Sequence, residues 1–170
     1  MGDFWDMNPD AALALPEDKE YLAEVYDILE NKTFQLMNSF IHHGETTCLT
    51  HCLVVSYKSY VRCKKAGLNA RAAARAGLLH DMFLYDWHTH AKKTGDHFHG
   101  YTHPRKALEN AESEFKLTCM EKDIILKHMW PLTMQLPKSK EAFVVLWQDK
   151  LCSLRETAHI FSRLRKMPAK

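Results

Sequence analysis

The chain has 170 residues, 46% of them hydrophobic, and a formal net charge of +2 with histidine neutral. That length suits one domain with a core of its own, and a charge so near balance gives no footprint for nucleic acid. The longest uninterrupted apolar run, Ala142 to Trp147, falls far short of the roughly 20 residues that cross a bilayer.

Met1 to Pro16 carries early acidic residues, two prolines and no clear periodicity, and is expected to form an irregular arm. It has no basic-then-apolar signal pattern. Asp6 stands where a myristoylation pattern needs Ser or Thr. A cytoplasmic protein without membrane association is expected. Helical periodicity then runs over 17–39, 46–65, 70–85, 104–114, 119–129 and 138–166, and no strand alternation competes with it. The expected fold is an all-α, single-domain helical bundle over 17–170. Five cysteines, Cys48, Cys52, Cys63, Cys119 and Cys152, are odd in number and form no Cys-x-x-Cys. They argue against a disulfide framework or a zinc ribbon and read as reduced core residues.

Polar residues on apolar helical faces carry the functional signal. His51 follows Cys48 by three residues and precedes Val54 and Val55, so its ring is expected to point inward. His80 and Asp81 close the run Ala76-Gly-Leu-Leu-His-Asp and are expected to be buried. A buried carboxylate costs several kcal/mol unless a partner or a cation compensates it. On a helix these neighbours point about 100° apart, so they would serve two adjacent ions, the Asp oxygens bridging centres roughly 3.5 to 4 Å apart.

His103 precedes Pro104 and reads as a helix start, with Thr102 as cap and the proline in the first turn. His128 follows Ile124 and Ile125, in a helix that must end near Trp130-Pro131. Asp149 shares a face with Val145, Leu146 and Cys152, where a lone carboxylate would weaken packing and a metal ligand is explained. A competing view makes some of these histidines hydrogen-bonded core residues, leaving one metal or none.

The order His51, His80-Asp81, His103, His128, Asp149 resembles the HD superfamily of metal-dependent phosphohydrolases in its two-metal form, over roughly residues 40 to 155. Within it the chain looks most like the small bacterial HD hydrolases, which include dinucleoside tetraphosphate hydrolases. The resemblance implies that His51, His80, Asp81 and Asp149 hold a first metal and that Asp81 bridges to a second held by His103 and His128. It implies iron or manganese. The donor set also suits zinc, cobalt or nickel, and argues against magnesium or calcium alone. The implied substrate is a nucleotide or other small phosphorylated metabolite, attacked by metal-activated hydroxide. One departure stands out: many relatives carry Lys or Glu three residues after the motif Asp, and this chain has Leu84.

Other residues admit two readings. The stretch Asp86 to Tyr101 holds His88, His90, His97, His99, Lys92 and Lys93; it either borders the site and meets phosphate or is a solvated loop. His43, in His42-His43-Gly44-Glu45, is a candidate substrate contact or part of an ordinary helix end. Lys150 either orients the Asp149 carboxylate or reaches phosphate, or else faces solvent, and Arg75 is another candidate phosphate contact. The basic tail Arg163 to Lys166 reads as a helix end that complements its dipole.

Three functions follow from different classes. The leading one is the phosphohydrolase. The second is a di-iron HD-type oxygenase, which Leu84 slightly favours. The third is a non-catalytic HD regulatory module, which intact ligands disfavour.

Overall fold

A computed structural model describes residues 18–43, 46–87, 89, 95 and 98–166, with the side chains of 43 and 159–166 outside that description. The expected arm over 1–16 lies outside the described residues, as do His88, His90, Lys92, Lys93 and His97 of the loop.

The chain begins with α1, Lys19–Leu29, opened by the Asp18 side chain, which accepts from the backbone N–H groups of Glu20 and Tyr21. Tyr21, Val25 and Ile28 recur at helical spacing and are fully buried. One helix was expected to run to residue 39. Instead the Asn31 side chain accepts from the Phe34 N–H and starts a new helix, α2, Lys32–Gln35. A short polar side chain that captures backbone N–H groups favours a cap over helix continuation. A 3-10 turn, Leu36–Ser39, leads into β1, Ile41–His43, which pairs antiparallel with β2, Thr46–Thr47. This ribbon corrects the expectation that no strand forms.

Thr47 caps α3, Cys48–Lys65, and Asn69 caps α4, Ala70–Leu79. Every residue of α4 from Ala72 to Leu79 is buried, as befits a helix surrounded by others. Its small residues admit close neighbours. A Cβ on Gly77 would stand 2.8 Å from Ser56 Cα on α3. The Ser56 hydroxyl donates to the Ala74 carbonyl at 2.7 Å and shares a 2.9 Å hydrogen bond with the Tyr21 hydroxyl, so α1, α3 and α4 lock together.

The sequence suggests that α4 continues to Tyr85, yet it stops at Leu79, with His80 as its last capping residue. Asn110 Nδ2 donates to the Met82 carbonyl at 2.7 Å, so a distant helix supplies a partner to the turn that follows. The chain then enters α5, His99–Glu114, five residues before Pro104. Thr102 is therefore inside the helix rather than its cap. A Thr118–Glu121 capping box opens α6, Cys119–Lys127, and α7 spans Lys140–Lys166.

The fold is predominantly all-α, a helical bundle with one small ribbon among the described residues. None of its described helices is long and apolar enough to cross a membrane. All five cysteines are free; four are buried and Cys119 is exposed, which corrects its assignment to the core.

Candidate metal centre

Five helices and the ribbon bring the polar residues to one place. His51 lies mid-α3, His80 and Asp81 just beyond α4, His103 in α5, His128 at the end of α6, and Asp149 on α7. All six are buried, from 0% to 6% exposed. His80 and Asp81 thus diverge at a helix end rather than within the helix, and the turn sets their separation.

The orientation of each ring is fixed from behind. Nδ1 donates to the Gly77 carbonyl from His80 at 2.9 Å, to the His99 carbonyl from His103 at 2.8 Å, and to the Ile125 carbonyl from His128 at 2.8 Å. His51 Nδ1 donates to Glu156 Oε1 at 2.9 Å. A carbonyl only accepts, so in the first three rings Nδ1 carries the proton and Nε2 faces inward as the donor atom for a metal.

Two groups of donor atoms take in the six expected residues, His51, His80 and Asp149 in one and Asp81, His103 and His128 in the other, and a third, His42, His51 and Glu156, shares His51 with the first; the atoms of each lie within 4.8 Å of one another. His51 Nε2 is 3.2 Å and His80 Nε2 3.7 Å from Asp149 Oδ1. Asp81 stands between the groups. Its Oδ2 is 3.5 Å from His80 Nε2, while its Oδ1 is 3.2 Å from His103 Nε2 and 3.5 Å from His128 Nε2.

The electrostatics favour a cation. Burial raises the Asp81 carboxyl, but the charge of His80 and the close approach of the His103 and His42 rings hold it well below the usual carboxylate range. Asp149 behaves likewise under burial opposed by His51 and His80. His128 is pushed down to about 3, by burial first and then by His103 and His80. Two observations test the fit. His80 Nε2 and Asp81 Oδ1 are buried without a hydrogen-bond partner, a costly condition. His103 Nε2 and His128 Nε2 also face each other at 2.7 Å, although both Nδ1 atoms donate elsewhere. Two lone pairs at that distance need a proton or a cation between them, and burial disfavours the extra proton on His128. The buried imidazole and carboxylate groups fit a metal ion.

Asp81, His103, His128 and Asp149, with His42, form one side of a cavity of about 450 Å3, whose wall also holds Trp87, His99, Met129, Lys150, Ser153, Leu154 and Thr157. That size lies within the range of small-molecule pockets. Lys150, proposed from sequence as a phosphate contact, lines it. Arg75 does not. It is 5% exposed and pairs with Asp27 and with Glu121 at 3.2 Å, tying α4 to α1 and α6. Both of its pairs lie within the fold, apart from the residues that line the cavity. Leu84 is half-buried against the core at a φ of 57°.

Sequence reasoning singled out His43, whose side chain lies outside the described residues, and passed over its neighbour. His42 Nε2 is 3.2 Å from Asp81 Oδ2, and its ring stacks on His51 with centroids 3.8 Å apart. Glu156 was also missed. Its signal was a spacing of seven residues from Asp149 on one helix, which returns a side chain to the same face. His99, one turn before His103, stacks on both Trp87 and His103, and its Nδ1 lies 2.9 Å from the Tyr85 hydroxyl.

Comparison with protein families, with curated proteins and with solved structures finds no match to this chain. The resemblance to the HD superfamily therefore rests on the order of its own residues.

Proposed function

We propose that the protein is a metal-dependent phosphohydrolase that cleaves a phosphoester or phosphoanhydride of a nucleotide or another small phosphorylated metabolite. The observation that carries this reading is the single carboxylate, Asp81, set between two histidine-containing donor groups beside a cavity. His51, His80, Asp81 and Asp149 would hold one ion, and Asp81, His103 and His128 a second. Two divalent ions so held would supply hydroxide near neutral pH and offset phosphoryl charge.

The chain's own groups do the rest. The backbone acceptors behind His80, His103 and His128 keep each Nε2 aimed inward. Lys150 places a cation at the cavity wall for a phosphate oxygen, and Trp87, Met129 and Leu154 give that wall an apolar surface that limits water. Nitrogen and oxygen donors without thiolate suit iron or manganese, with zinc, cobalt and nickel also accommodated.

Phosphate release from a panel of nucleotides and sugar phosphates, with manganese- or iron-loaded protein, tests the reading. Metal-dependent release supports it. No release from any member, by protein that holds its metal, counts against it. The apolar Leu84, packed on the core where a Lys or Glu would assist phosphate chemistry, supports a second reading, a di-iron oxygenase. Substrate-dependent oxygen uptake by the iron-loaded protein would favour that alternative.

A further inference from the structure

Glu156 lies outside the six-ligand set, yet it organises one side of it. Its two carboxylate oxygens accept from His51 Nδ1 at 2.9 Å and from His42 Nδ1 at 3.2 Å. The two rings stack at 3.8 Å with planes 20° apart, so one side chain fixes both. His51 is thereby aimed at Asp149 Oδ1 and His42 at Asp81 Oδ2, each at 3.2 Å. The carboxylate is largely buried and both of its oxygens are engaged by the two rings.

The two donor groups are therefore backed differently. Behind His103 and His128 stand neutral backbone carbonyls. Behind His51 stands an anion. A carboxylate behind an imidazole raises its basicity as a ligand and adds negative charge beside the ion, and loss of such a partner typically costs 10- to 100-fold in affinity.

We propose that Glu156 is a positioning residue that makes the His51–His80–Asp149 group the tighter of the two metal groups, so that it fills first. This inference rests on the metal-binding reading of the site. The role extends to His42, which Glu156 holds against the carboxylate that the groups share.

The test is titration of the chelated, full-length protein with cobalt(II), followed by visible absorption, which reports donor number and geometry as well as affinity. Wild type is expected to bind in two steps, and His128→Ala to lose the weaker. Glu156→Ala is expected to weaken the tighter step about 10- to 100-fold and leave the weaker within about threefold. Glu156→Gln keeps an acceptor without the charge, so it should recover part of that loss and preserve the fold. Equal loss at both steps, no loss at either, or removal of the tighter step by His128→Ala would overturn the inference while leaving the metal centre standing. Wild type that takes up no cobalt would defeat the metal reading itself, and this inference with it.

Discussion

Asp81 and Arg75 are two buried charged residues with opposite lessons. Asp81 is surrounded by His42, His80, His103 and His128, so Asp81→Asn keeps the shape and removes the anion they converge on. Phosphate release is expected to fall by more than about 100-fold, beyond the loss usual for a group placed behind a ligand, and elemental analysis should show metal falling with it. Arg75→Ala is expected to do the reverse. It leaves Glu121, 3% exposed, without its guanidinium, at a cost of about 3 kcal/mol read by urea denaturation, while metal content stays at the wild-type level. A stability loss under about 1 kcal/mol, the scale of a surface pair, would contradict this assignment. The six residues His51, His80, Asp81, His103, His128 and Asp149 were legible as buried polar groups because each stands on an otherwise apolar face. Glu156 was not, since Arg155 and Thr157 beside it are polar too, and no contrast marks it. His42 sits in a strand of three residues, too short to display a period.

At the level of elements, helices were legible from their apolar spacing and their ends were not. Asn31 looked like one more residue of a long helix until its side chain took the Phe34 N–H. The end of α4 is followed by a turn bonded to Asn110, 28 residues further along, a partner no local pattern reveals. α5 starts without a side-chain cap, so Pro104 was mistaken for its first turn. The contact between α3 and α4 matters most for the site, because His51 rides on one helix and His80 closes the other. Gly77→Ala would place a methyl 2.8 Å from the backbone of Ser56, and the helices must separate. The expected cost is about 1–3 kcal/mol, seen as a lower Tm, with weaker metal binding because His51 and His80 part. An unchanged Tm would mean that the two helices are looser than this contact requires.

For the whole molecule, the centre couples stability to pH in opposite senses with and without metal. In the chelated protein, burial lowers the His51 pKa, but hydrogen bonds to Asp149 and Glu156 prevail and raise it to about 9. Its unfolded value is near 6.5. A raised pKa stabilises the fold fully below about 6.5, and that contribution is lost as pH rises through about 9. The Tm of the chelated protein is thus expected to fall between pH 6.5 and 9, whereas the stabilisation gained on adding metal should grow over the same interval as the imidazoles lose protons. A chelated Tm that rises across that range would show that His51 is not charged in the empty site. All of this depends on two ions meeting at Asp81. The most direct measurement is the number of metal ions per chain, by elemental analysis of manganese- or iron-reconstituted protein, wild type beside His128→Ala. Near two ions are expected in the wild type and near one in the variant. One ion or none in the wild type, or two retained without His128, would contradict it.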